Sequence, residues 1–221
     1  MRISVVIPTL GEQETIESAI ASAWGALDPC DVIIADGGSA DRTRELATVA
    51  GATVVDAPGT RADAMNTGAR AATGEAIVFL HADTTLPPGA GDRVRSALEH
   101  ADGGAFSVRF DDRPRLARFA ARLGKPFHRG VYGDQAIFVT RAAFDRVGGY
   151  GQLPIMEDID LVQRIRRAGR FVVLPDTVTT SGRRQRAHGE VRTFLTVHTI
   201  KLLYRLGVPP AHLARAYRPL G

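Results

Sequence analysis

The chain has 221 residues, 44% hydrophobic and 24% charged, which is the balance of one folded α/β-sized unit and excludes a disordered or collagen-like chain. Its net charge of +4 rests almost wholly on arginine, since Lys125 and Lys201 are the only lysines. Permanently charged guanidinium groups suit phosphate-bearing partners, whereas scattered basic residues without a recognition motif argue against nucleic acid.

Ile3–Ile7 is a short apolar run of strand type, too short for a signal peptide or a membrane span, and Cys30 is the single cysteine. Both features lead to the expectation of a cytoplasmic protein. Glu12–Trp24 places Ile16, Ala19, Ile20, Ala23 and Trp24 on one helical stripe, and Val32–Ala35 is a second buried strand. A helix over Asp41–Ala50 closes at Gly51, a left-handed cap, before the strand Thr53–Val55. A helix over Arg61–Ala72 then leads to the strand Ala76–Leu80. Strand and helix alternate through this region, which predicts a parallel sheet with helices on both faces.

Beyond Pro87-Pro88 the pattern gives a helix over Asp92–His100 and a strand over Ala105–Phe110. A helix over Arg115–Leu123, a strand over Gln135–Thr140 and an amphipathic helix over Glu157–Ala168 follow. The expected organisation is one α/β domain over 1–190, divided into a nucleotide-binding half (1–85) and an acceptor half (86–190). A helical extension over 191–221 follows, with a helix at Val191–Tyr204 and a shorter one after Pro209-Pro210. Basic amphipathic helices of this kind either pack on their own domain or lie on a membrane surface, so peripheral contact at the inner face of a membrane is an open expectation.

Asp83 ends an apolar strand, where open α/β sheets bind ligands, and its carboxylate suits a hard cation on a diphosphate; the structural alternative is a turn or cap residue. Asp36 ends the second strand within Asp36-Gly37-Gly38-Ser39-Ala40-Asp41, placed to accept from the imide N–H of a uracil ring, while Ser39 and Asp41 read as helix caps. Arg61 opens a helix near the same edge and suits base or diphosphate; the alternative is a solvated arginine. Asp158 is the candidate general base, because displacement at an anomeric carbon needs a carboxylate to take the acceptor's proton. Glu157 and Asp158 at a helix start also fit a purely electrostatic match to the helix dipole. Asp134 and Gln135 suit sugar or acceptor hydroxyls, or a plain turn. His188, in the basic segment with Arg183 and Arg184, suits a metal or diphosphate contact, or solvent.

Taken in order, Val5-Val6-Ile7-Pro8-Thr9, Asp36 to Asp41, His81-Ala82-Asp83 and Glu157-Asp158 with Asp160-Leu161 resemble glycosyltransferase family 2, over about residues 2–180. Arg61–Gly68, Phe79–Thr84 and Ser181–Arg184 also resemble its radical-SAM/selenodomain-associated transferase subgroup. The resemblance implies a GT-A (Rossmann-like) fold and inverting transfer of a sugar from a nucleotide-diphospho-sugar, usually a UDP-sugar, to a hydroxyl acceptor with Mg²⁺ or Mn²⁺. By position it implies Thr9, Asp36 and Arg61 at the nucleotide, Asp83 at the metal and Asp158 as base; Glu12 is a further candidate at the nucleotide, and His81 and His188 are further candidates at the metal. Asp134, Gln135, Glu157, Arg183 and Arg184 are the candidates for contact with donor sugar or acceptor. One carboxylate stands in His81-Ala82-Asp83 where many relatives have two, and Gly11 replaces a common asparagine. The rival readings are a noncatalytic nucleotide-sugar binder and a sugar nucleotidyltransferase, the latter lacking its glycine- and lysine-rich phosphate loop here.

Overall fold

The computed structural model describes residues 1–110, 131, 133–181 and 190–216; the expected helix over 115–123 lies outside them. Eight strands, β1 (Ile3–Thr9), β2 (Cys30–Asp36), β3 (Thr53–Asp56), β4 (Ala76–Phe79), β5 (Thr84–Thr85), β6 (Gly103–Phe110), β7 (Ile137–Thr140) and β8 (Phe171–Thr180), form one sheet. The order is β3-β2-β1-β4-β7-β6-β8-β5. Strands β3, β2, β1 and β4 run parallel, as does the β6–β8 pair, whereas β7 is antiparallel to both β4 and β6 and β5 is antiparallel to β8. The result is the mostly parallel α/β sheet that the alternating pattern predicts.

Helices α1 (Ile16–Leu27), α2 (Thr43–Val49) and α4 (Ala90–Leu98) cover one face, and α3 (Arg61–Ala71), α5 (Arg141–Arg146) and α6 (Glu157–Ala168) the other. Strand alternation divides the core between them. Val5 and Ile7 join the α1 side with Ile16, Ile20 and Val94, while Val6 joins the α3 side with Met65, Phe144, Leu161 and Ile165. Two further helices, α7 (Glu190–Arg205) and α8 (Pro210–Ala216), end the described chain, with Ile200 and Leu213 buried. Among the described residues no helix is long and apolar enough to cross a membrane.

Several boundaries differ from expectation for local reasons. Helix α1 starts at Ile16 rather than Glu12, because the N–H groups of Thr15 and Ile16 both bond to the Glu12 carbonyl and make that stretch a preceding turn. The expected cap at Gly51 has φ +83 and accommodates the turn into β3. Gln135 belongs to a 3₁₀ turn (Gly133–Gln135), and Ala136 at φ +46 reorients the chain so that β7 begins only at Ile137. The hydrogen bond from Gln135 Nε2 to the Phe106 carbonyl, 3.0 Å, ties this turn to β6.

The topology gathers the sequence candidates on one edge. Thr9 and Asp36 are paired at the C-terminal ends of β1 and β2, and Asp36 is paired with Asp56 at the end of β3. His81 and Asp83 follow the end of β4. Because β7 runs the other way and Ile137 sits opposite Phe79, the 3₁₀ turn leading into β7 lies at this same edge. Ligands of open α/β sheets bind in the crevice outside the carboxyl ends of the strands.

Candidate active site

Two networks occupy this edge. In the first, the Asp36 carboxylate is buried and fully engaged: Oδ1 accepts from Thr9 Oγ1 at 2.8 Å and Ser39 Oγ at 2.6 Å, and Oδ2 from the N–H groups of Gly38 and Ser39 at 3.1 and 2.9 Å. Arg44 bridges the same oxygen and Asp56 at 3.2 and 2.6 Å. Burial raises the carboxyl pKa, but the bonds from Ser39, Thr9 and Gly38 outweigh it and hold the group below its usual range. The same bonds shape the β2–α2 loop and fix the orientation in which the Asp36 carboxylate stands at the end of β2.

The loop after β1 is stitched to this one. Gly11 N–H donates to Ser39 Oγ at 2.9 Å, Glu12 N–H to Thr43 Oγ1 at 2.8 Å and Gln13 N–H to Asp41 at 3.2 Å. The Glu12 side chain accepts from Thr15 Oγ1 at 3.2 Å, so its visible work is to hold the approach to α1. This network forms a stiff wall for whatever lies above β1 and β2.

The second network centres on Arg61, at the N-terminus of α3. That helix is fixed by a capping box in which Thr60 and Asp63 bond each other's backbone N–H groups. The Arg61 guanidinium reaches Glu157 Oε1 at 2.5 Å and Asp158 Oδ2 at 2.6 Å, with His81 Nε2 at 3.3 Å. The two carboxylates are 3% and 5% exposed, whereas the Arg61 side chain keeps 41% of its surface accessible. Paired carboxylates buried beneath a partly accessible cation do more than complement a helix dipole.

Position explains how they are held. Met156 precedes α6 with φ +66, a conformation that costs a non-glycine residue about 1–2 kcal/mol and turns the chain sharply into the helix. Ala136 and Met156 are the non-glycine residues with positive φ among those described, and both flank this cluster. A Cβ on Gly133 would collide with Asp158 Oδ2 and His81 Nε2, so the 3₁₀ turn can lie against Asp158 only with glycine there. Below the carboxylates, Tyr150 is packed edge-on to Phe79 at 4.9 Å, and Asn66 clasps its backbone with two 2.9 Å bonds. Burial first, then the charges of Asp158 and Glu157, push the Tyr150 hydroxyl pKa upward.

Three buried atoms here, Asp134 Oδ1, Tyr150 OH and Asp158 Oδ1, complete no hydrogen bond of good geometry, with the Tyr150 hydroxyl close enough to the Asp158 carboxylate to interact with it. Such atoms are costly unless something meets them. Burial raises the Asp158 pKa, Arg61 opposes the rise and Glu157 and Asp134 add to it, leaving it pushed up to about 6. Asp134 is also raised, by burial most of all and by nearby Asp83, with Lys201 and Arg61 opposing. A carboxylate base must be ionised to act, so the pH–rate profile is expected to climb through an apparent pKa near 6 and level off above it. A profile that falls across this interval would remove Asp158 from the role.

Asp83 stands at the turn between β4 and β5, half-buried, with the hydroxyls of Thr84 and Thr180 at 3.3 and 3.4 Å from Oδ1. Among the described residues no group of three or more His, Cys, Asp or Glu could hold a metal ion. One carboxylate still fits a divalent cation of the kind that takes its other ligands from substrate phosphates and water. His81 faces Arg61 rather than forming part of an acidic ligand set. Gln135 bonds β6, and Arg183, Arg184 and His188 lie outside the described residues. The structure thus brings Arg61, His81, Asp134, Glu157 and Asp158 together, and leaves Thr9, Glu12 and Asp36 in the neighbouring wall. Gly133 and Tyr150 are the contributors that sequence reasoning did not single out; neither carries a signal without knowledge of which residues lie next to them.

Residues 4–140, more than half of the chain, match the family described as Glycosyl transferase family 2. The chain belongs to that family and has the GT-A fold. It is 24% identical to a dolichol-phosphate mannosyltransferase of Pyrococcus furiosus over 93% of this chain and 64% of that protein. The fold is similar to that of mannosyltransferase PcManGT from Pyrobaculum calidifontis, solved with GDP-Man and Mn²⁺ (TM-score 0.64, 23% identity, 80% of this chain and 56% of that one). It is also similar to S. aureus TarS 1–349 with UDP-GlcNAc (TM-score 0.64, 16% identity, 82% and 58%). The chain spans less than two thirds of each of these proteins.

Proposed function

We propose that the chain moves a sugar from a UDP-type nucleotide-diphospho-sugar to a hydroxyl acceptor with inversion, in a single displacement. The carrying observation is the buried Glu157–Asp158 pair under Arg61, with the Asp158 carboxyl pushed up to about 6. The acceptor hydroxyl gives its proton to Asp158 as its oxygen bonds the anomeric carbon. The bond from that carbon to the diphosphate oxygen breaks on the opposite side, and its electron pair leaves with the nucleoside diphosphate. Asp158 suits this step because it is ionised at neutral pH yet far more basic than an ordinary aspartate.

Glu157 holds Arg61 in place and supplies the second negative charge that keeps Asp158 basic. Arg61, accessible along part of its length, is placed to meet the diphosphate. The wall made by Thr9, Asp36, Ser39 and Arg44 gives the nucleotide a rigid floor, with Asp36 acting through the shape of the loop. Asp83 would hold a divalent cation, which when bound neutralises charge on the departing diphosphate. Complexes of neighbouring folds with UDP-GlcNAc and with GDP-Man and Mn²⁺ support a nucleotide-sugar donor and a divalent metal.

Thermal unfolding with nucleoside diphosphates and their sugars, with and without Mn²⁺, tests the donor assignment, because a ligand that binds only the folded state raises the unfolding temperature. The expected result is a uridine-specific rise that grows with Mn²⁺ and loses that growth in Asp83→Asn. Indifference to every nucleotide would overturn the reading, and a guanosine response would reassign the donor.

A further inference from the structure

Tyr150 is 2% exposed and stands in the segment between α5 and α6. Its ring is held by Phe79, edge-on at 4.9 Å, and by Phe144 at 6.1 Å. Its backbone is held separately: Asn66 Nδ2 donates to the Tyr150 carbonyl and the Tyr150 N–H donates to Asn66 Oδ1, both at 2.9 Å. Asn66 belongs to α3, the helix that Arg61 opens, so one rigid element sets the place of both Arg61 and Tyr150. Phenylalanine would meet this packing as well as tyrosine does, and a buried tyrosine hydroxyl ordinarily has a polar partner.

The hydroxyl reaches the Asp158 carboxylate, and Asp158 and Glu157 are the negative charges that act on it most strongly. Glu157 Oε1 and Asp158 Oδ2 both hold the Arg61 guanidinium. Asp158 Oδ1 is then a buried acceptor and the Tyr150 hydroxyl a buried donor, each without a completed bond of good geometry. Burial and the two carboxylates keep the phenol protonated throughout the neutral range, so towards an ionised carboxylate it is a donor, and its proton can turn about the C–O bond to meet one. Around Asp158 stand Arg61 from α3, Glu157 from its own helix, and Asp134 with the Gly133 N–H from the 3₁₀ turn; His81 lies against Arg61. Arg61 and the Gly133 N–H favour the ionised carboxylate, whereas burial, Glu157 and Asp134 oppose it.

We propose that Tyr150 is a positioning residue for the base: its hydroxyl donates to the Asp158 carboxylate, fixes the rotation of that group against the Arg61 guanidinium, and favours its ionised form. This rests on the transferase reading above and adds to it a residue that acts through Asp158 rather than on the substrate. A carboxylate turns easily about its last side-chain bond, and partners with fixed origins are what hold it in one orientation. Arg61 and Tyr150 are two such partners, and α3 anchors both, the first as its opening residue and the second through Asn66.

Tyr150→Phe tests the proposal, because it removes one oxygen and leaves the ring on Phe79 and Phe144. The Asp158 titration is followed in the full chain without substrate through its side-chain carboxyl ¹³C shift, assigned by its absence in Asp158→Asn. The midpoint is expected to rise by about one pH unit, the sign that follows when a donor to the ionised form is lost. On the alkaline plateau kcat should fall about tenfold through looser orientation of the base, with the donor KM unchanged, and the rising limb of the pH–rate profile should move up with the titration. Phe144→Leu is the packing control: it trims a ring beside Tyr150 and removes no hydrogen bond, so it should lower the unfolding temperature and leave the titration in place. A midpoint that stays or falls in Tyr150→Phe, or an equal rise in Phe144→Leu, would overturn the proposal. Sugar transfer with an unmoved titration removes only the role of Tyr150, whereas a raised midpoint in a protein that transfers sugar from no donor keeps the hydrogen bond and removes the transferase reading.

Discussion

Asp158→Asn is expected to lower kcat by about 10²–10⁴-fold, the range lost when a positioned general base is removed, while the protein stays folded and its donor affinity changes little. Asparagine keeps the shape of the side chain and can still accept from Arg61, and Glu157 continues to hold that guanidinium. The rising limb of the pH–rate profile near 6 should disappear with the carboxylate. Asp160 is the control: it lies in the same first turn of α6 but pairs with Arg164 at 2.7 Å. If these acids merely matched the helix dipole, Asp158→Asn and Asp160→Asn would each cost about 0.3–1 kcal/mol of stability and leave turnover alike. Equal turnover in the two variants, both folded, would therefore discard the base assignment; a loss confined to Asp158→Asn would support it.

What could be read in the chain follows physical rules with local reach. Strands β1, β2 and β4 are buried on both faces and appear as apolar runs, and α6 starts and stops where its acids and Gly169 indicate. Strand β8 escaped because it is only partly buried along most of its length and contains Pro175 and Asp176, so neither a continuous nor a clean alternating pattern marks it. Strand β5 is two residues long and exists only through its pairing with β8, and α5 spans barely more than a turn.

The site divides in the same way. Asp83, Asp158 and Arg61 each stand at an element end that their neighbours in sequence define. The joining of Arg61 to Glu157 and Asp158 spans 96 and 97 residues and depends on the sheet order, which brings the starts of α3 and α6 to one edge. Asp36 shows the converse limit. Its place at the end of β2 was legible, but the hydroxyls and N–H groups that occupy it come from Thr9, 27 residues earlier, and from the fold of its own loop. Position in an element predicts where a carboxylate stands; only the assembled neighbours decide how it is oriented and bonded.

Arg61→Met is the substitution with the largest expected cost in stability. It removes the cation that compensates two carboxylates exposed by only 3% and 5%, while keeping a chain of similar length in the cleft. Breaking a fully buried pair costs about 3–5 kcal/mol; because 41% of the Arg61 side chain is accessible and water can partly replace it, a loss of about 2–3 kcal/mol is expected in the urea unfolding free energy at neutral pH. Part of that loss should be relieved as pH falls, because protonating Asp158, whose pKa would rise further without Arg61, removes the repulsion from Glu157. Adding Glu157→Gln to Arg61→Met should recover stability by the same logic, whereas Glu157→Gln alone should destabilise, and this reversal of sign within the cycle is the signature of direct coupling. A loss under about 0.5 kcal/mol, with additive double-variant behaviour, would mean that solvent already screens the pair and that Arg61 is a surface group in effect. Arg61→Lys separates structure from geometry: it keeps the charge but cannot span both carboxylates with a planar fork, so stability should return in part while turnover stays low.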